Sequence, residues 1–281
     1  MRLLAILSGA AVVSCGLAWV GFDSLAARYI ATHCRALREP GPPPAGETLV
    51  EYAPGLPAWF APPGNNDLPL VVMVPGYGGD RSDSAGFAAA LQARGYGILR
   101  IDRGCDHNSM PYGGGPREAG EIRQAIQYAQ QRFDNGKIVL FGFSAGGTEA
   151  LLAADQGAPV AAVITDSAPS NLLNIAKDWH NVPAWAYALT PRLYGLFSRH
   201  GDLIDLEHSF SRRYTIPTLI IQGTGDTDVV PANGDRLAAL THGQLFLVPG
   251  ANHGQSFATE PAAYTERAIA FMDGVFAQAG H

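Results

Sequence analysis

One serine of this chain stands where it could act as a nucleophile. Residues 137–154 read KIVLFGFSAGGTEALLAA, an apolar run followed by GFSAG and then by an Ala/Leu-rich run. Gly-x-Ser-x-Gly between a strand and a helix is typical of a sharp turn that raises the serine above a sheet. Its glycines occupy positions where a side chain would collide with neighbouring elements. The pattern predicts that Ser144 is a nucleophile at a helix N-terminus, where negative charge is favoured.

A serine hydroxyl is a weak nucleophile at its free pKa, so it needs a base. Of the eight histidines, His253 lies in VPGANHGQSF, between the last predicted strand and the last predicted helix. That position is on the same edge of the sheet as Ser144, and His253 is therefore the predicted base. His107, in DRGCDHN, also follows a predicted strand, and we expect it to line the substrate pocket.

A base histidine needs a carboxylate that fixes its tautomer and stabilises the imidazolium. The segment QGTGDTDVVP follows the preceding predicted strand and offers Asp226 and Asp228. One of them is expected to be the acid and the other a turn residue, a common role of Asp. Asp166, after VAAVIT, is a third and weaker candidate. The resulting order Ser, Asp, His is the order of α/β-hydrolase triads.

The oxyanion of a tetrahedral intermediate needs N–H donors that are already in position. We expect one donor to be the backbone N–H of Ala145, directly after the nucleophile. The second is expected in the loop PGYGGDRSD, which follows the predicted strand PLVVMV, and we assign it to the N–H of Tyr77. The glycines of this loop would let the backbone approach a substrate closely.

The elements around these residues alternate between strands and helices. Two short strands are predicted near 49–52 and 58–61, and apolar runs then alternate with helical stretches to the end of the chain. Strands that are apolar throughout indicate a parallel sheet with both faces covered. Right-handed crossovers make such a sheet doubly wound. The predicted fold class is α/β, and the site is expected at the carboxyl ends of the strands.

From about Leu49 to its end, the chain resembles the α/β-hydrolase superfamily. The resemblance rests on PGYGG, GFSAGG, GTGDTDVVP and PGANHG, which stand in the order of that family. It is most similar to the branch of dienelactone-hydrolase-like and prolyl-oligopeptidase-like proteins, whose Asp-x-Arg-Gly-type turn corresponds to DRGCDHN. PGY also resembles the oxyanion loop of bacterial cutinases, in which the Tyr supplies an N–H and an aromatic wall.

The resemblance implies a serine hydrolase that cleaves carboxylic esters through an acyl-enzyme, with no metal and no organic cofactor. The family's Gly-x-x-Asp turn favours Asp226, which is the predicted acid, whereas counting back from Pro231 favours Asp228, which remains the alternative. Three alternatives remain at this stage: a peptidase or amidase of the prolyl-oligopeptidase type, an acyltransferase, and a catalytically silent, membrane-tethered binding protein.

An aromatic-rich insertion lies at about 167–215, where the superfamily carries its cap. We expect short helices that cover the pocket, with Trp179 and Trp185 as the pocket-lining candidates and the other aromatic side chains packed against the core. The hydrolase domain is predicted to span 47–281, the cap included.

The N-terminal residues predict export or attachment to a membrane. No charged residue occurs from Leu3 to Phe22, and about 20 apolar residues suffice to cross a bilayer. This segment, residues 1–22, is read as a retained anchor, as a cleaved signal peptide or, because VVSC ends at Cys15, as a lipoprotein signal. A Pro/Gly-rich linker is predicted at 23–46.

Charge and cysteine content restrict the partners of the chain. The formal net charge of −6 argues against a nucleic-acid partner. The three cysteines include no CxxC pair, and no Cys/His spacing typical of a metal site is present. Cys34 and Cys105 could form a disulfide in an oxidising compartment, or both could be free thiols.

Overall fold

The computed structural model describes residues 16–25, 40–104, 112, 115–133, 136–172, 193 and 203–279. Several predictions fall outside these residues: the pocket-lining roles of His107, Trp179 and Trp185, the lipoprotein signal at Cys15, and the pairing of Cys34 with Cys105.

In the described residues, strands and helices alternate as the sequence predicts. The strands are β1 (Thr48–Ala53), β2 (Leu56–Ala61), β3 (Leu70–Val74), β4 (Gly97–Ile101), β5 (Ile138–Phe143), β6 (Ala162–Asp166), β7 (Thr218–Gly223) and β8 (Gln244–Val248). The helices are α1 (Ala85–Gln92), α2 (Pro116–Arg132), α3 (Ala145–Asp155), α4 (Leu206–Ser209), α5 (Ala232–Thr241), α6 (Ser256–Thr259) and α7 (Pro261–Ala279).

These strands form one twisted sheet in the order β1-β2-β4-β3-β5-β6-β7-β8. β2 is antiparallel to both of its neighbours, and the pairs from β4 to β8 are parallel. The order reverses at β3, so the crossovers place helices on both faces of the sheet. The predicted α/β fold with a mostly parallel, doubly wound sheet is confirmed.

The core lies on both faces of this sheet. All five residues of β3 are buried. Alternate residues of β3 point to opposite faces: Val72 packs with α2 and α3, and Val71 packs with α1 and α7. Burying one such side chain contributes about 1.5–3 kcal/mol relative to leaving it exposed. The buried sheet thus forms the scaffold, and the loops at its carboxyl edge carry the candidate catalytic side chains.

The two ends of the predicted cap insertion are joined at its base. The N–H of Leu172 donates to the carbonyl of Ile204 at 2.9 Å, and the N–H of Leu206 donates to that of Ser170 at 3.0 Å. Asn233 of α5 accepts the N–H of Ser170 at 3.1 Å. Both ends therefore leave the domain from one fixed place beside β6. Most of the residues predicted to form the cap helices lie outside the described part of the chain.

At the N-terminal end, the described residues 16–25 are helical, and this range includes residues 23–25, the first three of the predicted linker. Among the described residues, no helix is both long enough and apolar enough to cross a membrane. Glu47, the predicted first residue of the domain, is buried and forms an ion pair with Arg100 of β4 at 2.9 Å. That pair fixes the start of β1 against the sheet.

Candidate active site

The turn between β5 and α3 holds Ser144 in a strained backbone conformation. Its φ is 51° and its ψ is −126°, a combination that costs a residue with a side chain of the order of 1–3 kcal/mol. The flanking glycines make the turn possible. A Cβ on Gly142 would collide with the carbonyl oxygen of Gly146, and a Cβ on Gly146 would collide with that of Pro75. The strain is localised at the one hydroxyl predicted to be a nucleophile.

His253 lies between Ser144 and a carboxylate. Its Nε2 is 3.1 Å from the Ser144 Oγ, and its Nδ1 is 2.9 Å from Oδ2 of Asp226. The imidazole packs on Phe143, with ring centroids 5.1 Å apart and an interplanar angle of 39°. With a proton on Nδ1, Nε2 is free to accept the serine proton. This line of contacts joins the carboxyl ends of β5, β7 and β8.

The two candidate acids have different places in this line. Oδ2 of Asp226 faces His253, and Oδ1 accepts the backbone N–H groups of Asp228 at 2.9 Å and Val229 at 2.8 Å. Asp226 is 3% exposed. Gln222, also buried, donates to Oδ2 at 3.3 Å. Asp228 thus contacts the acid through its backbone N–H, as a turn residue does, and the carboxylate beside the imidazole belongs to Asp226.

The surroundings of the pair favour a charged Asp226 and a basic His253. Burial alone raises the pKa of Asp226, but the hydrogen bond with His253 and the N–H donors outweigh it, so the net pKa is lowered. Burial alone lowers the pKa of His253, but the hydrogen bond to Asp226 and that residue's charge outweigh it, so the net pKa is raised. Each group therefore stabilises the charge that the other needs.

Asp166, the weaker third candidate, has a structural role in the described contacts. Its buried carboxylate accepts hydrogen bonds from the hydroxyls of Ser256 at 2.9 Å, Tyr264 at 3.0 Å and Ser167 at 3.0 Å. Its backbone carbonyl accepts the N–H of Ser144 at 2.8 Å. Asp166 therefore ties the nucleophile turn and the start of α6 to the end of β6.

The predicted oxyanion donors lie on two segments that meet beside Ser144. Ala145 is the first residue of α3, so its N–H is one of the helix-end donors that have no carbonyl four residues earlier in the helix. On the other side, a Cβ on Gly76 would be 3.3 Å from the Cβ of Ser144. Tyr77 therefore follows directly after a point of close approach to the nucleophile. Tyr77 is 44% exposed, and its ring packs edge-on against that of Tyr112, with centroids 5.1 Å apart.

Beneath the loop 75–79 lies a buried ion pair that was not predicted from the sequence. Arg103 donates to the carbonyl of Gly76 at 2.5 Å and pairs with Glu149 of α3 at 2.8 Å. A signal was present, because Glu149 is the one charged residue inside the otherwise small and apolar run AGGTEALLAA. Such a residue is rarely buried without a partner, but its partner is 46 positions away, and local patterns do not show such a pairing.

A cavity of about 300 Å³ adjoins the site between α1, β5 and α6. Its lining residues include the aromatic residues Phe87, Phe143 and Phe257, together with Asp83 and Asp166. Burial and the charge of Asp80 raise the pKa of Asp83 to about 6, against the opposing effects of Arg103 and of backbone N–H donors. Within the described ranges, no cluster of His, Cys, Asp or Glu side chains could hold a metal ion.

Comparison with known proteins agrees with this architecture. A family model described as "alpha/beta hydrolase fold" matches residues 69–189, less than half of the chain. No curated protein sequence matches. The predicted resemblance to the α/β-hydrolase superfamily is confirmed by this match together with solved structures of the same fold.

Three of those structures illustrate the similarity. An esterase of Pyrococcus furiosus, Pf2001, has 17% sequence identity and a TM-score of 0.60 over 81% of this chain and 91% of its own. Est1E from Butyrivibrio proteoclasticus has 22% identity and a TM-score of 0.60 over 83% and 100% of the two chains. A dienelactone hydrolase from Anabaena variabilis has 23% identity and a TM-score of 0.54 over 81% and 95%. At these identities the similarity establishes the fold.

Proposed function

From the α/β-hydrolase fold of this chain, we propose that it is a serine hydrolase that cleaves carboxylic esters. The observation that carries the proposal is the continuous line of contacts from Ser144 through His253 to Asp226, at 3.1 and 2.9 Å. These are hydrogen-bond distances for a nucleophile, its base and the group that orients the base. The strained backbone at Ser144 supports the same proposal, because such strain clusters at functional sites.

The proposed reaction begins with transfer of the Ser144 proton to Nε2 of His253 as Oγ attacks the ester carbonyl carbon. The carbonyl π electrons move to oxygen, and the backbone N–H groups of Tyr77 and Ala145 stabilise the resulting oxyanion. The negative charge of Asp226 stabilises the imidazolium. When the carbonyl re-forms, the C–O bond to the alcohol breaks, and the alcohol takes the proton from His253.

The acyl group then leaves in a second, similar step. His253 takes a proton from water, and the oxygen of that water attacks the acyl carbon. A second oxyanion forms between the same donors. Its collapse breaks the bond to Ser144 Oγ, returns the proton to the serine and releases the carboxylic acid. Every proton transfer uses one nitrogen, Nε2, so one titrating group governs both steps.

The test is hydrolysis of p-nitrophenyl acetate and butyrate by the full-length protein and by Ser144→Ala. Loss of the nucleophile from a triad lowers kcat by roughly four to six orders of magnitude. Ser209→Ala is a matched control, because Ser209 is exposed on α4 and donates only to its own turn. Full activity of Ser144→Ala would refute the proposal. Parallel assays with p-nitroanilides and with added alcohols would reveal an amidase or an acyltransferase.

We propose, as a separate point, that the N-terminal segment attaches the enzyme to a membrane or directs its export. Support comes from apolar residues that are exposed in the described range 16–25. Their exposed fractions range from 42% to 70%, at Leu17, Val20, Phe22 and Leu25. Mass spectrometry of the mature N-terminus distinguishes the routes. An intact chain in the membrane fraction indicates an anchor, a lipid on Cys15 indicates a lipoprotein, and a free, shortened chain indicates a cleaved signal. An intact chain confined to the soluble fraction would contradict the proposal.

A further inference from the structure

We infer that Arg103, held by Glu149, is a positioning residue for the oxyanion hole: it fixes the Gly76–Tyr77 peptide so that the N–H of Tyr77 points at the developing oxyanion. The inference rests on the proposed function, because it assigns a role within the same site. It adds a buried ion pair to the parts that the reaction needs, although neither member of the pair touches the substrate.

One peptide unit, Gly76–Tyr77, connects the ion pair to the proposed oxyanion donor. The carbonyl of Gly76 and the N–H of Tyr77 belong to the same planar group, and in a trans peptide they point in opposite directions. Nη2 of Arg103 donates to that carbonyl at 2.5 Å, and the N–H of Gly79 donates to it at 3.0 Å. Two donors on one oxygen fix the plane of the peptide. Fixing the carbonyl on the buried side therefore also fixes the direction of the N–H on the other side.

Glu149, the other member of the ion pair, lies in α3. Nη1 of Arg103 contacts both carboxylate oxygens of Glu149, at 2.9 and 2.8 Å, and the hydroxyl of Tyr112 donates to the same carboxylate at 2.6 Å. Glu149 is four residues after Ala145 in α3, so the two lie on one face of the helix. The pair thus connects the helix that carries one proposed donor to the loop that carries the other.

The side chains of Arg103 and Glu149 are both 0% exposed. Burying two charges has a large desolvation cost, and replacing such a pair by packed apolar side chains is often neutral or stabilising. Stability alone therefore does not explain its presence. The N–H donors of a guanidinium lie in one plane and point in fixed directions, so this group can hold a peptide carbonyl in one orientation. Its charge on the carbonyl also polarises the peptide and strengthens the N–H at the other end as a donor.

The loop is held from a second direction. Gly76 and Asp80 donate their N–H groups to the carboxylate of Asp83, whose pKa is affected by both of these bonds and by Arg103. The N–H of Gly76 and its carbonyl are therefore both engaged by side chains. Glycine is required here, because a Cβ would be 2.9 Å from the ring of Phe143. The segment that carries the proposed donor is thus preorganised before a substrate binds.

The test compares Arg103→Lys with Arg100→Lys, a matched control. Arg100 is as buried as Arg103 and lies three residues before it, in β4. It forms an ion pair with Glu47 at 2.9 Å. A lysine keeps the charge but lacks the planar fork. We measure kcat and KM for p-nitrophenyl butyrate per active site titrated with a fluorophosphonate, and inhibition by a trifluoromethyl ketone, whose adduct with Ser144 places an oxyanion in the hole.

Loss of one oxyanion donor costs about 10²–10³ in kcat. Because Arg103→Lys misdirects a donor without deleting it, we expect kcat per titrated site to fall by about 10- to 100-fold. KM should stay unchanged, since the interaction forms only in the transition state. The inhibition constant of the ketone should rise by the same factor. Arg100→Lys should keep the wild-type kcat per titrated site.

Other results would overturn the inference. If Arg103→Lys lowers only the fraction of titrated sites, with wild-type turnover at each, the residue has a structural role only. Equal losses of kcat per titrated site in Arg103→Lys and Arg100→Lys would also show that the role of Arg103 is structural only. If the wild type itself neither reacts with the fluorophosphonate nor hydrolyses esters, the proposed function fails first, and the two failures are thereby distinguished.

A second variant covers the case in which Arg103→Lys does not fold. Arg103→Met combined with Glu149→Met removes both charges and leaves neither unpaired. If it folds, we expect the same loss of kcat per titrated site, because the carbonyl of Gly76 again lacks its guanidinium. Wild-type turnover in this folded double variant would overturn the inference.

Discussion

The two sides of Ser144 are held by different chemistry. On the base side, made up of His253 and Asp226 with their loops, the contacts are hydrogen bonds between loops, and the imidazole is 19% exposed above a buried Asp226 side chain. On the donor side, made up of residues 75–77 with Arg103 and Glu149, a fully buried ion pair holds the backbone from below. The group that must gain and lose a proton lies near water. The groups that need only point in one direction are fixed by charges that water does not reach.

The largest effect should distinguish the two carboxylates of the base side. Asp226→Asn keeps the shape of the acid but removes the charge that stabilises the imidazolium and fixes its tautomer, so kcat should fall by about 10⁴-fold. Asp228→Asn is the matched control, because that residue contributes its backbone N–H to the turn. Its activity should stay close to that of the wild type. Steady-state kinetics measure both variants. A large loss of kcat in Asp228→Asn with near wild-type activity in Asp226→Asn would show that Asp228 is the acid.

On the donor side, the larger expected effect is on stability. Arg103→Met leaves Glu149 buried beside Tyr112 without its cation, and breaking a buried pair costs about 3–5 kcal/mol of unfolding free energy where the carboxylate is charged. Because burial raises the pKa of Glu149 to about 8 even beside Arg103, the loss should grow as the pH rises. The double variant Arg103→Met with Glu149→Met should recover most of that loss, because no charge is left unpaired. Urea unfolding followed by circular dichroism measures both. A single variant as stable as the wild type would show that the pair is not held as described.

The smallest effect, a shift in pH dependence, should appear on the base side alone. His253 must be neutral to accept a proton, so kcat/KM should rise with pH through its pKa, which the surroundings raise above 6.5. The charge of Asp228 contributes to the raised pKa of His253. Asp228→Asn should therefore shift the rising limb of the pH profile of kcat/KM to lower pH. Arg103→Lys should leave it in place.

One neighbouring group needs a control in that measurement. Asp83, with a pKa of about 6, also titrates in this range. Asp83→Asn removes it, and the limb that remains belongs to His253. If the rising limb of kcat/KM disappears in Asp83→Asn, then Asp83, which holds the loop 75–79, sets the pH dependence, and His253 does not.

Much of this arrangement was predictable because each site residue follows a strand. The contact between Ser144 and His253 could be predicted because the carboxyl ends of parallel strands meet at one edge of the sheet. The choice of Asp226 over Asp228 rested only on the resemblance to a family turn, since the two share one turn and differ in which carboxylate reaches the imidazole. The helix α6 was not predicted, because four residues carry no helical periodicity.

The donor side was the less predictable half of the site. Tyr77 and Ala145 could be chosen as donors because the motifs give their backbone positions. The contact between Arg103 and Glu149 joins the end of β4 to the middle of α3, and only the packed sheet brings these segments together. A buried charge in an apolar helix indicates that a partner exists, but the sequence does not identify that partner. Asp166 is the converse case, a carboxylate after a strand whose hydrogen bonds serve the scaffold.

A fluorophosphonate probe tests whether the surroundings of Ser144 make its hydroxyl a nucleophile. The full-length protein is treated with the probe, digested, and the labelled peptide mapped by mass spectrometry, alongside Ser144→Ala and His253→Ala. We predict a single label on Ser144 in the wild type, no label in Ser144→Ala, and a strongly slowed reaction in His253→Ala. If the folded wild-type protein stays unlabelled, or if His253→Ala is labelled as fast as the wild type, the hydroxyl of Ser144 is not activated by His253.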